Sequence, residues 1–200
     1  MPDEILLLTG EAEAPHLAQV LTAHNPALKT RHVADKEDLV RAATASSGGY
    51  RRLISFCTSV IVPADVLDAV DGPAYNFHPG PPTYPGAHAA SFAIYDGAER
   101  FGATVHEMTE QVDAGAIVAV EWFDVATQDR FQDLEIKAFQ SLARLFHGLA
   151  PALACDRAPL PPQDVEWSGL RRTKRDVEQL QAIDETTSEE EIRRRFRAFG

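Results

Sequence analysis

The chain has 200 residues, 44% of them hydrophobic and 24% charged, which is typical of one soluble globular domain with a small extension. Its formal net charge of −11 argues against non-specific binding to nucleic acid, which depends on lysines and arginines that neutralise phosphates. Two cysteines fit no zinc site or disulfide framework, and no apolar run approaches the roughly 20 residues that cross a bilayer. Because the N-terminus also lacks the plan of a signal peptide, we expect a cytoplasmic protein that uses no metal and binds neither nucleic acid nor membrane.

The first part of the chain alternates short apolar runs with segments of helical periodicity. We predict strands at residues 4–9, 29–33 and 53–57, and helices at 14–23, 35–45 and 64–70. The second helix is expected to close at Ser46-Ser47-Gly48-Gly49. Alternating strands and helices imply a parallel sheet with helices on both faces, and such sheets bind ligands beyond the carboxyl ends of their strands.

The second part begins after a fourth strand that ends near residue 78. A short helix is predicted at 89–95, strands at 102–108 and 117–125, and a long helix over roughly 128–149. Prolines between Pro151 and Pro162 are expected to break regular structure after that helix. Ser188 and Glu191 form a capping box that begins a last helix, which ends near Arg197.

The fourth strand leads into a loop rich in proline and glycine, Asn76-Phe77-His78-Pro79-Gly80-Pro81-Pro82-Thr83-Tyr84-Pro85-Gly86. The prolines leave the loop few backbone conformations to lose on folding, so we expect it to be rigid. Asn76 and His78 lie two residues apart at the strand end, and their side chains therefore share one face. An amide and a titratable ring in this position are typical of an active-site rim.

A carboxylate completes this set of polar residues. Asp113 lies in the turn Val112-Asp113-Ala114-Gly115 between two apolar strands. Asn76 and His78 can stabilise the oxyanion that forms when an amine attacks a carbonyl, so the set can transfer an acyl group without a covalent nucleophile. We expect Asp113 to raise the pKa of His78, to hold that ring as an imidazolium, and to relay the amine's proton through water.

These motifs resemble those of the 10-formyltetrahydrofolate-dependent formyltransferases and their hydrolase relatives. That family carries Asn-x-His-Pro at a strand end, a Gly-x-Thr-x-His strand, and a Val-Asp-x-Gly turn followed by an Ile-rich strand. The corresponding segments here are Asn76-Phe77-His78-Pro79, Gly102-Ala103-Thr104-Val105-His106 and Val112-Asp113-Ala114-Gly115-Ala116-Ile117, with Gly86 closing the loop. Several spaced motifs in the correct order make the resemblance specific.

The resemblance implies both a fold and a reaction. The fold is α/β, a Rossmann-like three-layer α/β/α sandwich with a mostly parallel sheet, antiparallel C-terminal strands and a short helical C-terminal extension. The implied catalytic domain spans residues 1–150, and a Pro-rich connection with the helical extension spans 151–200. The implied donor is 10-formyltetrahydrofolate, so that the enzyme is a transferase of one-carbon metabolism. Asn76, His78 and Asp113 are the implied catalytic trio.

The resemblance also implies where the ligands bind. The pteridine of the folate is expected against Ile61 and Val62 on one side, and against the turn that carries Glu110 and Val112 on the other. Two further residues are candidates for contact with the acceptor. Tyr84 could stack on a ligand or simply cover the loop, and His88 could touch the acceptor or simply begin a helix. His106 alternates with apolar neighbours on its strand, which favours a packed or hydrogen-bonded residue over a catalyst.

Several segments differ from the motifs of the family, and two of these differences narrow the choice of acceptor. After the histidine the family commonly has Ser-Leu-Leu-Pro, then an aromatic or basic residue and Gly, whereas this chain has the segment Gly80–Gly86. This difference affects the expected contacts of the loop with the folate. The acidic segment Thr9-Gly10-Glu11-Ala12-Glu13 would repel phosphate, which disfavours glycinamide ribonucleotide as the acceptor. The sequence also shows none of the basic C-terminal domain of the methionyl-tRNA enzymes. A small-molecule amine remains by elimination, for instance an amino sugar linked to a nucleotide.

Two other functions stay open at this point. The same trio could hydrolyse formyltetrahydrofolate with water as the acceptor, or the fold could serve as a non-catalytic folate-binding or interaction domain. A homodimer also stays open. Residues 171–200 hold 8 basic and 7 acidic side chains in an otherwise acidic chain. The basic group at its start, Arg171 to Arg175, is interpreted as a solvated segment, with contact to an acceptor phosphate or a partner as the alternative.

Overall fold

The computed structural model describes residues 1–45 and 49–200, so most of the predicted turn at 46–49 lies outside the described residues. The elements in chain order are β1 (Glu4–Leu8), α1 (Ala14–His24), β2 (Lys29–Val33), α2 (Lys36–Thr44), β3 (Arg51–Phe56), α3 (Ala64–Ala69), β4 (Ala74–His78), α4 (Ala89–Asp96), β5 (Arg100–Glu107), β6 (Ile117–Asp124), α5 (Phe131–Cys155), α6 (Lys174–Gln181) and α7 (Glu189–Phe199). None of these helices combines the length and the apolar character that would let it cross a membrane.

The six strands form a single sheet in the order β2-β1-β3-β4-β5-β6. The first four strands of that order pair in parallel, and β5 and β6 pair antiparallel. The predicted α/β class with antiparallel C-terminal strands is therefore confirmed. The register between β4 and β5 sets Asn76 opposite His106 and His78 opposite Thr104. This pairing brings two histidines and an asparagine to one edge of the sheet.

Helices cover both faces of the sheet because its central strands are apolar at almost every position. In β1, Ile5 and Leu7 belong to one hydrophobic cluster, whereas Leu6 and Leu8 belong to another, since successive strand residues point to opposite faces. The first cluster also contains buried residues of α1 and α5, and the second contains buried residues of α2 and α3. These two clusters make the predicted three-layer sandwich.

The long helix does not stop where the prolines suggested. Helix α5 continues through Pro151 to Cys155, so the predicted break at Pro151 is wrong. Proline removes one intrahelical hydrogen bond, but the turn that follows buries Leu153 and Ala154 completely in the first cluster. The guanidinium of Arg52 also donates to the carbonyl of Leu153 at 2.7 Å and thus pairs one of the last carbonyls of the helix. The helix crosses residue 150, and the division into domains stays a prediction.

Residues 163–173, which we call the strap, run back across the proline-rich loop. The backbone N–H of Ser168 donates to the carbonyl of Pro82 at 3.0 Å, and that of Arg172 donates to the carbonyl of Pro85 at 3.1 Å. Gly169 crosses the loop so closely that a side chain there would collide with the carbonyl oxygen of Thr83. Its positive φ of 81° is also a conformation that favours glycine. The strap thereby fixes the outer side of the loop.

Two helices follow the strap, and the sequence interpretation found only the second. Helix α6 begins at a complete capping box in which Thr173 and Asp176 exchange hydrogen bonds. That Thr-x-x-Asp spacing was the available signal. Helix α7 is capped by Ser188, whose side chain accepts from the backbone N–H of Glu191. It packs against α4, where the ring of Phe199 lies edge-on to that of Phe92.

The fold predicts a large difference between two apolar residues of α5. Phe146 is fully buried and packs against the rings of Phe56 and Phe77, whereas Ile136 on the same helix is 59% exposed. Phe146→Ala should lower the free energy of unfolding by roughly 3–5 kcal/mol because it leaves a cavity in the first cluster. Ile136→Ala, the matched control, should change it by no more than about 0.5 kcal/mol. Denaturant unfolding measures both values, and equal losses would contradict the assigned layers.

Candidate active site

Four polar residues converge beside the carboxyl end of β4. Asn76 and His78 come from β4 itself, His106 comes from the neighbouring strand β5, and Asp113 comes from the turn between β5 and β6. His78, His106 and Asp113 are buried, and Asn76 is half-buried. The structure thus brings the three predicted catalytic residues together and adds His106 to them. We call these four residues the polar cluster.

Asp113 is the centre of the polar cluster. One carboxylate oxygen, Oδ2, accepts from the backbone N–H of Gly86 at 2.7 Å and lies 3.5 Å from Nδ1 of His78. The other, Oδ1, lies 3.2 Å from Nε2 of His106. Burial by itself raises the pKa of Asp113, but the hydrogen bond from His106, the charges of both histidines and the Gly86 N–H lower it to about 2. Asp113 is therefore ionised at neutral pH.

The geometry contradicts the predicted charge of His78. Burial lowers the pKa of His78 below its ordinary value of 6.5, and this effect outweighs the attraction of Asp113, which raises it. His106 lowers it further. The ring is consequently neutral at pH 7 rather than an imidazolium. Its Nε2 lies 3.2 Å from the carbonyl oxygen of Tyr84 and its Nδ1 lies 3.5 Å from the Asp113 carboxylate. Both oxygens can only accept, so the single proton of the neutral ring can serve one of them at a time.

His106 links Asn76 to Asp113. Its Nε2 lies 3.2 Å from Nδ2 of Asn76 as well as from the carboxylate, and its Nδ1 lies 2.9 Å from the carbonyl oxygen of Glu107. The prediction of a hydrogen-bonded strand residue is confirmed. The amide of Asn76 thus directs its NH₂ group to the His106 ring. To donate to a substrate, Asn76 must turn part of that group away from the ring.

The sequence interpretation missed Trp167, which comes from the strap. Its indole N–H donates to the carbonyl of Gly115 at 2.8 Å. The ring lies edge-on to His106, with centroids 5.0 Å apart, and its centroid is 5.9 Å from that of His78. Trp167 therefore covers the two histidines of the polar cluster. An isolated tryptophan after a proline-rich segment gave no local signal of this position.

The two predicted acceptor contacts, Tyr84 and His88, have different surroundings. Tyr84 offers its carbonyl to His78, while its ring packs 6.2 Å from that of Phe101. Burial raises the pKa of the Tyr84 phenol to about 12, and the nearby Asp96 raises it as well. His88 is exposed at the N-cap of α4, with a φ of 56°. Roles for both residues in acceptor binding stay predictions.

The predicted folate contacts lie in two segments. Glu110 and Val112 belong to the turn that carries Asp113, and Ile61 and Val62 belong to the segment after β3. Ile61 and Val112 are 67% and 41% exposed. Glu110 is exposed, and Val62 is half-buried against the second hydrophobic cluster. The role of these four residues in folate binding stays a prediction. Within residues 1–45 and 49–200, no three histidine, cysteine, aspartate or glutamate side chains are placed to hold a metal together.

Comparison with known proteins decides the family. The model of the formyl transferase family matches residues 9–144, which is more than half of the chain. The chain belongs to the formyl transferase family. The match covers every strand from β2 to β6 and all four members of the polar cluster. The predicted family and the predicted enzyme class are therefore confirmed.

Several solved structures share the fold of this formyl transferase. The protein Rv3404c from Mycobacterium tuberculosis is 23% identical, with a TM-score of 0.75, over 100% of this chain and 88% of that one. PseJ from Anoxybacillus kamchatkensis, solved with UDP-4,6-dideoxy-4-formamido-L-AltNAc and tetrahydrofolate, is 20% identical, with a TM-score of 0.72, over 92% of this chain and 93% of that one.

A third similar structure is an N-formyltransferase from Helicobacter canadensis, in complex with folinic acid and dTDP-3-aminofucose. It is 14% identical, with a TM-score of 0.68, over 100% of this chain and 81% of that one. The ligands of these two complexes are a folate and a nucleotide-linked sugar in each case.

The cluster geometry predicts how His78 titrates. Its midpoint in an NMR titration should lie below 6.5 because burial disfavours the charged ring. A histidine with a lowered folded pKa contributes stability above the unfolded pKa, and that contribution is lost as the pH falls through the folded pKa. Asp113→Asn should shift the midpoint further down, because it removes the one nearby negative charge that raises it. A midpoint above 6.5, or an upward shift in Asp113→Asn, would contradict the neutral ring.

Proposed function

We propose that this protein transfers the formyl group of 10-formyltetrahydrofolate to the primary amine of a nucleotide-linked amino sugar. The observation that carries the proposal is the polar cluster, in which Asn76, His78 and an ionised Asp113 meet at the end of β4. Membership of the formyl transferase family supports the transferred group. The folates and nucleotide-linked sugars bound to PseJ and to the Helicobacter canadensis enzyme support the donor and the acceptor class.

The reaction requires one proton to move from the acceptor amine to the donor nitrogen. The amine attacks the formyl carbon, the carbonyl oxygen becomes an oxyanion, and the bond from that carbon to the folate nitrogen then breaks. Asp113 stays ionised because its pKa is about 2, so its charge can balance a positive charge on His78. We therefore assign His78 as the proton carrier, Asp113 as the charge that stabilises its imidazolium, and Asn76 as the oxyanion donor.

In this mechanism the polar atoms of the site, which bind one another, must exchange partners when a substrate binds. His78 directs Nε2 to the Tyr84 carbonyl and Nδ1 towards Asp113, so neither ring nitrogen faces open solvent. Substrate binding must release Nε2 from that carbonyl, whereas Nδ1 can take up a proton and form an ion pair with Asp113. Catalytic hydrogen bonds are often incomplete in unliganded enzymes, and they form in the complex with substrate.

We place the donor across the exposed surface of Ile61, Val62, Glu110 and Val112. This surface adjoins the Asp113 turn, so a pteridine bound there would carry its formyl group towards the polar cluster. The acceptor would enter on the side of Tyr84 and His88. Because the reaction consumes a folate-borne formyl group, we assign the protein to one-carbon metabolism and expect it in the cytoplasm.

A transfer assay with a nucleotide-linked amino sugar tests this proposal. Formamide product should accumulate, and tetrahydrofolate release should accelerate when the amine is added. Asn76→Ala and His78→Ala should each lower kcat by roughly 10²–10³, because each loses a group that acts in the transition state. His24→Ala, a surface histidine far from the polar cluster, is the control and should keep normal activity.

Two outcomes of the assay would contradict the proposal. Release of tetrahydrofolate at the same rate with water alone would indicate a hydrolase. Folate binding without any turnover would indicate a binding domain. Calorimetry with 5-formyltetrahydrofolate on the His78→Ala protein separates binding from chemistry, since the variant should retain its affinity for the folate.

A further inference from the structure

The basic group at the start of α6 stands out in an acidic protein. The chain has a net charge of −11, yet Arg171, Arg172, Lys174 and Arg175 lie within five consecutive residues. We call these four residues the basic cluster. Three of its side chains are exposed, and that of Arg172 is half-buried. A local concentration of positive charge on a negative surface is a feature that attracts anions.

Most arginines elsewhere in the chain already have partners. Carboxylates are bound by Arg144, Arg157, Arg193 and Arg195, and backbone carbonyls are bound by Arg52, Arg130 and Arg197. By contrast, the side chains of Arg171, Lys174 and Arg175 make no salt bridge or hydrogen bond within residues 1–45 and 49–200. These three side chains are therefore able to bind a ligand without first breaking an internal ion pair.

Asp176, a carboxylate beside the basic cluster, already has hydrogen-bond partners. Asp176 accepts from both the backbone N–H and the hydroxyl of Thr173 in the capping box, at 2.6 and 2.7 Å. The Thr173 bonds lower the pKa of Asp176, and the charges of Arg172 and Arg175 lower it further. Asp176 thus orders the first turn of α6 and neutralises at most one of the four positive charges. The cluster keeps a net positive charge.

Backbone hydrogen bonds connect the basic cluster to the proline-rich loop. Arg172 donates to the Pro85 carbonyl, and its own carbonyl accepts from Ala87 at 2.9 Å. Gly86 lies between these two contacts, has a φ of 93°, and donates its N–H to Asp113. A side chain at Gly86 would collide with the Arg172 carbonyl. The guanidinium of Arg172 is held over the ring of Phe92, 4.7 Å from its centroid. The cluster is therefore held at a fixed position beside the reaction centre.

We propose that the basic cluster binds the diphosphate of the nucleotide-linked acceptor. This inference rests on the proposed function, because it requires an acceptor whose sugar carries a phosphate. In such a molecule one sugar ring separates the amine from the diphosphate. When the amine lies at the polar cluster, the diphosphate must therefore lie about one sugar ring away, at the edge of the site next to the proline-rich loop. Arginine forks suit phosphate oxygens through paired N–H donors, and Lys174 adds a point charge. Arg172 serves mainly to hold the strap, so Arg171, Lys174 and Arg175 make the direct contacts.

The first test measures anion binding without any formyl transfer. Calorimetry with UDP and with uridine isolates the contribution of the phosphates. We expect UDP to bind the wild-type protein more tightly than uridine, and Arg171→Ala/Arg175→Ala to remove that difference. The matched control is Lys29→Ala/Lys36→Ala, which removes two exposed positive charges from β2 and α2 and should leave UDP binding unchanged. Equal binding of UDP and uridine to the wild-type protein would overturn the inference.

The second test uses the complete reaction. For a nucleotide-linked amino sugar, Arg171→Ala/Arg175→Ala should raise KM by about 10- to 100-fold, since two hydrogen-bonding charges are lost, while kcat stays nearly constant. KM for the folate should not change. The wild-type KM for the acceptor should rise with salt, and this rise should be smaller in the variant. An unchanged acceptor KM in the variant would refute the diphosphate site, whereas a wild-type protein that formylates no such sugar would refute the proposed function instead.

Discussion

The buried carboxylate of Asp113 is the interaction on which the rest of the site depends. Its backbone has a φ of 47°, which is uncommon for a residue other than glycine, and its side chain is almost completely buried. A buried charge is costly unless it is paired and hydrogen-bonded, and here two histidines and the Gly86 N–H provide those partners. One side chain therefore sets the position of the β5–β6 turn, the orientation of both histidines and the end of the proline-rich loop.

The strap depends on the same contact. Gly86 is held by Asp113 on its inner side and by the backbone of Arg172 on its outer side, so the loop is clamped between the turn and the C-terminal segment. The strap also places Trp167 over the polar cluster. Its last residues begin the basic cluster, which lies next to the proline-rich loop. A segment far from the catalytic motifs in sequence thus becomes one wall of the site.

Much of this could be predicted from local patterns. Continuous apolar runs predicted the buried strands, and the spaced motifs predicted Asn76, His78 and Asp113, which the structure brings together. The interpretation was wrong where burial or tertiary packing outweighs a local rule. Pro151 does not end α5, because the following turn buries Leu153 and Ala154, and Asp113 does not hold His78 charged, because burial outweighs its attraction. The position of Trp167 depends on long-range contacts of the strap, which sequence periodicity does not encode.

The most direct measurement is an NMR titration of the Asp113 carboxyl carbon, assigned by the signal that disappears in Asp113→Asn. If the two histidines and the Gly86 N–H stabilise this charge as the structure indicates, its midpoint should lie at about 2. The carboxyl would then remain ionised through the range in which an ordinary aspartate, with a pKa of 3.8, takes up its proton. A midpoint above 3.8 would show that burial outweighs those partners. It would contradict the charged carboxylate as the centre of the site.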